Sequence, residues 1–147
     1  MDLGALYDAW ASRLLAYMMT ITRDRTKAED ALHNLFVKLA TGRPDLRDPA
    51  VYLFRAARNE AFRVSRRRPD RPLANLEIVE APAGSADAGA IADALDRLPA
   101  DQFDVVVLHV FEGLSFREAA EVLGIPPDTA ASRYRYALEK LRGLIEP

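Results

Sequence analysis

The sequence predicts an all-α fold of two small helical domains, three helices followed by four, joined by a flexible linker. Three observations predict it. Apolar residues recur at helical spacings of three and four through most of the chain. A stretch rich in Pro, Ala and Gly, from Pro69 to about Ala90, interrupts that pattern. The final third, Ser115 to Leu141, reads as two short helices about a tight turn. The expected divisions are residues 1–68, a linker over 69–90, and residues 91–147.

Taken in order, Leu3 to Thr22 is a first helix, with Leu6, Trp10, Leu14, Tyr17 or Met18, and Ile21 on its inner face. Asp24 to Thr26 makes a short polar break. A second helix runs from about Lys27 to Ala40, its apolar face built from Leu32, Leu35, Phe36 and Leu39. The other face carries Glu29, Asp30, His33, Asn34 and Lys38, which is either a solvated surface or a contact surface. Thr41 to Ala50 is a loop punctuated by Gly42, Pro44 and Pro49.

The third helix, Val51 to Arg68, buries Leu53, Phe54, Ala57, Ala61 and Val64. Arg55, Arg58, Asn59, Phe62 and Arg63 lie at or beyond its boundary. Arginines interleaved with Tyr52 and Phe62 combine charge with flat stacking surfaces, as single-stranded nucleic acid requires. The bland alternatives are core packing for Tyr52 and, for Arg66 to Arg68, a solvated end favoured by the helix dipole. Within the linker, Leu73, Leu76, Ile78 and Val79 form an apolar cluster able to dock. Ile91, Leu95 and Leu98 then restart the helical period. A further helix follows Pro99, with Phe103, Val106, Val107 and Val110 inward; Val105 to Val107 suits a strand by composition, but its flanks favour helix.

In the closing hairpin, Ser115 and Glu118 have the spacing of a capping box. Phe116, Ala119, Ala120 and Leu123 share a face. Gly124 ends the helix, because glycine enters the left-handed cap without a Cβ penalty. Pro126 and Pro127 forbid continuation, and Asp128 or Thr129 is expected to cap the next helix. Ala130, Tyr134, Ala137, Leu138 and Leu141 form its apolar stripe. Ser132, Arg133, Arg135 and Tyr136 lie largely outside the stripe, with groups that reach phosphates or base edges. An ordinary helical hairpin with solvated arginines has the same spacing; small residues where the helices cross favour a DNA-reading unit.

Composition narrows the function classes. The 147 residues include no cysteine, so no disulfide framework or thiolate metal site exists, as suits a reducing cytoplasm. The first ten residues lack the pattern of a signal peptide, and no apolar run approaches a membrane span; membrane insertion is not expected. The net charge of −2 conceals segregation. Residues 51–68 carry six Arg against Glu60, whereas residues 69–98 carry two basic and six acidic side chains. Binding to a polyanion is therefore expected to be local. His33 and His109 lack companion ligands at metal spacing, and no phosphate loop, nucleophile elbow or carboxylate pair is present. No cofactor, metal or enzymatic activity is expected.

Three motifs in order resemble a known family, the extracytoplasmic-function (ECF) sigma factors of bacterial RNA polymerase. AEDALHNLFVKLA (Ala28–Ala40) resembles its region 2.2, YLFRAARNEAFRVSRRR (Tyr52–Arg68) its region 2.4, and Leu95–Arg142 its region 4. The resemblance implies a factor that binds core polymerase, melts the −10 element and initiates transcription. Asp30, His33, Asn34, Phe36 and Val37 would meet the β′ clamp helices. Tyr52, Arg55, Arg58, Asn59, Phe62 and Arg63 would meet the −10 strand, with the Thr41–Ala50 loop holding an extruded base. Thr129, Ser132, Arg133, Arg135 and Tyr136 would enter the major groove at the −35 element.

The β flap and an anti-sigma factor are further implied partners, and the location implied is cytoplasmic. The chain departs from the family pattern at His33 and Asn34, usually Gln and an acid, at Tyr52, usually Trp, at Arg63, often Asp, and at Ala131, often Lys. A sigma-like decoy that only captures an anti-sigma factor, and a stand-alone helix-turn-helix repressor, are the competing readings. A decoy has no need of both basic helices, and a repressor has none of the Ala28–Ala40 helix.

Overall fold

Asp2 opens the first helix by accepting hydrogen bonds from the backbone N–H groups of Gly4 and Ala5, at 3.0 and 3.3 Å. The computed structural model describes residues 2–42, 44, 46–65 and 88–145. Seven helices are found among them, and no strand. They are α1 (Leu3–Thr22), α2 (Arg25–Gly42), α3 (Pro49–Ser65), α4 (Ala88–Asp96), α5 (Ala100–Val106, continued by a π-helical turn, Val107–Phe111), α6 (Phe116–Leu123) and α7 (Pro127–Ile145). The chain divides into two compact units, residues 1–70 and 71–147. The expected linker lies outside the described residues except for Ala88, Gly89 and Ala90, which already form the first turn of α4. The apolar cluster at Leu73, Leu76, Ile78 and Val79, and Arg66 to Arg68, also lie outside.

In the first unit α1, α2 and α3 pack on one another pairwise. The core joins Leu14, Tyr17, Met18 and Ile21 of α1 to Leu32, Leu35, Phe36 and Leu39 of α2 and Leu53, Phe54, Ala57 and Ala61 of α3. Both Tyr17 and Met18, offered as alternatives by periodicity, are buried. Leu6, Trp10 and Val64 are only half-buried. Trp10 and Tyr17 meet Phe54 edge-on at 6.3 and 5.3 Å.

The break before α2 shrinks to Arg23 and Asp24, and the helix begins at Arg25 rather than Lys27. The reason is local: the Asp24 carboxylate accepts from Lys27 N–H at 3.1 Å, and its carbonyl accepts from Ala28 N–H. The loop before α3 is likewise shortened, because Pro49 lacks the N–H that a first helical turn leaves unpaired and so starts the helix.

In the second unit α7 is the axis on which α4, α5 and α6 pack. Val105, Ala120 and Ala130 form a tight buried centre, surrounded by Phe116, Leu123, Ile125 and Tyr134. The capping box is present on both sides: Ser115 Oγ accepts from Glu118 N–H at 3.0 Å, and Glu118 Oε1 accepts from Ser115 N–H at 2.9 Å. Gly124 takes φ 71°.

Three expectations are corrected here. Helix α7 starts at Pro127, before Asp128 and Thr129, with Pro126 carbonyl accepting from Ala130 N–H. Proline is well suited to a first helical position, so the helix starts on it instead of after it. Val110, placed inward by a regular helical period, is exposed, because it lies within the π turn Val107–Phe111, whose wider spiral rotates its residues off the α-helical period. Leu138 is also exposed, toward the edge of the stripe.

Candidate nucleic-acid interface

The exposed side of α3 is built by its buried side. With Leu53, Phe54, Ala57 and Ala61 locked in the core, helical geometry turns Tyr52, Arg55, Asn59, Phe62 and Arg63 into one outward stripe. Tyr52 is 40% exposed, so it is not core packing. Phe62 is 38% exposed and carries the Arg58 guanidinium over its ring at 4.8 Å. Arg58 itself is half-buried and donates to the Tyr17 hydroxyl at 3.4 Å. The stripe thus offers cations and two flat rings on a rigid helix, the combination that holds stacked, unpaired bases.

On α2, Asp30, His33 and Val37 are exposed and Asn34 is half-buried, spaced as one helical stripe. Phe36 does not belong with them. Its ring is buried edge-on against Tyr7 at 4.9 Å, because it sits in the same apolar stripe as Leu32, Leu35 and Leu39. It supports the surface from beneath and presents no contact of its own.

On α7, burial of Ala130 and Ala137 places Ser132 and Arg135 opposite the core, with Thr129 and Tyr136 on one flank. Arg135 and Tyr136 are exposed, and the Arg135 guanidinium lies 5.7 Å from the centre of the Tyr136 ring. Arg133 differs. It lies beside the core stripe, half-buried, with Nε 3.5 Å from Asp101 Oδ2 of α5. Asp101 was not singled out by the sequence, since nothing local marks a partner 32 residues away.

Two other groups escaped sequence reasoning. Glu60, within the arginine-rich α3, is buried and takes Lys38 of α2 and Arg63 of α3 on its Oε1. The spacing of Glu60 and Arg63 was a readable signal; the pairing with Lys38 was not. His109, read as a core or surface histidine, stacks on Phe116 at 4.1 Å with Nδ1 2.7 Å from the Leu114 carbonyl. Among the described residues no group of three or more metal-ligating side chains occurs, and no helix is long and apolar enough to cross a membrane.

Residues 6–70 match the family model for Sigma-70 region 2, and residues 88–141 match that for Sigma-70, region 4. The chain is 30% identical to the ECF RNA polymerase sigma factor SigL of Mycobacterium tuberculosis (strain H37Rv) over a 154-residue alignment, covering 94% of this chain and 85% of the relative. It is 27% identical to the RNA polymerase sigma factor SigZ of Bacillus subtilis (strain 168), covering 99% and 88%. The fold is similar to that of the sigma factor RpoE in complex with the anti-sigma factor NepR from Bartonella quintana, with a TM-score of 0.75, 24% identity and 99% of each chain covered. It is also similar to CnrH in complex with the cytosolic domain of CnrY, with a TM-score of 0.73, 24% identity, and 98% and 87% covered.

Proposed function

The chain belongs to the ECF sigma factors of bacterial RNA polymerase, and from that premise we propose a division of labour among its residues. The first unit, residues 1–68, binds core polymerase and the −10 element; the second, residues 91–147, binds the −35 element. Asp30, His33, Asn34 and Val37 of α2 meet the β′ clamp helices. Tyr52, Arg55, Arg58, Asn59, Phe62 and Arg63 of α3 hold the melted −10 strand. Thr129, Ser132, Arg135 and Tyr136 of α7 read the −35 major groove, and Arg133 reaches a phosphate or base edge beside them. The second unit also rests on the β flap.

The observation that carries this reading is that both units present an exposed helix face combining arginine and aromatic rings, held outward by a buried apolar core on the other side of the same helix. The protein acts without chemistry of its own, in the cytoplasm. Its regulator is an anti-sigma factor, as NepR is for the similar RpoE.

The test is transcription in vitro with purified core polymerase and a pool of genomic promoters. Discrete new start sites sharing two upstream elements are expected; polymerase binding without transcripts from any promoter would sink the initiating role. Arg135→Ala is expected to weaken −35 binding by about 1–3 kcal/mol with core affinity unchanged. Asp30→Lys should do the opposite, weakening polymerase capture and sparing DNA binding by the second unit.

A further inference from the structure

Among the described residues Glu60 is the only buried acid. Its Oε1 accepts from Lys38 Nζ of α2 and lies 3.4 Å from Arg63 Nη1, while its Oε2 is buried without a hydrogen-bond partner. Taking a carboxylate out of water costs several kcal/mol unless its acceptor sites are filled, and half of these are not. An apolar side chain would suit the position better if stability were all that was at stake. What the carboxylate does achieve is to draw two cations from different helices to one point.

Those cations keep spare donors. Lys38 is 56% exposed and Arg63 61% exposed at the side chain. An ammonium has three N–H donors and a guanidinium five, so each can hold Glu60 and still face an outside anion. Arg63 also belongs to the outward stripe of α3 with Tyr52, Arg55, Asn59 and Phe62. The triad carries a net charge of +1 at the edge of that stripe.

We propose that Lys38 is a nucleic-acid backbone contact, and that Glu60 is a positioning residue holding Lys38 and Arg63 as a clamp for one phosphate of the strand whose bases stack on α3. This places Lys38, which lies on the polar face of α2 beyond the residues assigned to polymerase, on the DNA side of the unit. The clamp rests on the reading of the α3 stripe as a single-strand surface. Held in place beforehand, the two side chains lose less rotamer freedom when the strand arrives.

The experiment is anisotropy titration of the full chain with a labelled, mixed-sequence single-stranded DNA of about 20 nucleotides, repeated across a salt series. Lys38→Ala should bind several-fold more weakly at low salt, with a log–log salt slope shallower by about 0.7, and Lys38→Arg should restore both. Glu60→Gln separates positioning from bulk charge. It makes the protein more positive, so charge alone predicts tighter binding; the clamp predicts binding about two- to tenfold weaker. If Glu60→Gln melts early, the Lys38 pair decides by itself.

Arg55→Ala and Phe62→Ala probe the underlying surface. Loss in these two with Lys38→Ala unchanged, or tighter binding by folded Glu60→Gln, overturns the clamp and leaves the α3 reading standing. No loss in any of them overturns both.

Discussion

His109 shows how much one side chain can hold. Its ring lies nearly parallel to Phe116 at 4.1 Å and edge-on to Tyr134 at 4.8 Å. Its Nδ1, 2.7 Å from the Leu114 carbonyl, must carry the proton, because a carbonyl only accepts. The imidazole therefore ties the end of α5 to the start of α6 and to α7. His109→Ala is expected to lose stacking and unpair a carbonyl, costing about 2–3 kcal/mol. His109→Phe keeps the stack and should cost about 1 kcal/mol. Urea titration of the two variants checks the order, and equal losses would refute the hydrogen bond's part in it. Arg133 and Asp101 also link two helices, but as a half-exposed pair with an Nε to Oδ2 distance of 3.5 Å they contribute under about 1 kcal/mol.

Among the elements, α6 was the most legible because its signals are all local. Ser115, Glu118 and Gly124 sit within one short segment, and each takes the role its chemistry implies. Gly124 has open space where a Cβ would stand, so its requirement is conformational rather than steric. Gly124→Ala should therefore destabilise the second unit by about 1–2 kcal/mol, with Gly124→Asn milder, read as a shift in melting midpoint. The apolar face of α2 was legible for the same reason: Leu32, Leu35, Phe36 and Leu39 are all buried as their spacing requires.

Features that depend on distant partners were not legible. Helical spacing assigned Phe36 to the core and the family resemblance assigned it to the polymerase surface; its burial against Tyr7 favours the first. Val110 defeated the period because the π turn is set by the Glu112 to Val107 and Leu114 to Leu108 backbone bonds, not by composition. The exposed arginine and aromatic stripe of α3 could be read in advance, whereas the carboxylate beneath it could not.

At the scale of the whole molecule, two compact units with separate cores imply two unfolding events. The single tryptophan makes this testable. Trp10 lies in α1 against Phe54, so its fluorescence follows the first unit, while helical circular dichroism follows both. The two signals are expected to give different midpoints in denaturant; coincident curves would mean that the units unfold as one. The charge pattern follows the same partition, with the densest arginine run closing the first unit and acidic side chains prevailing after it. The wide turn at the end of α5 has a consequence for ancestry. Such a turn is an α-helix carrying one residue more than its hydrogen-bond ladder accommodates, and the surplus is absorbed before Ser115 begins the next helix. A chain one residue shorter there would keep the same cap on α6 and the same α7. When this protein is aligned with its kin, that is where a single-residue gap has a physical meaning.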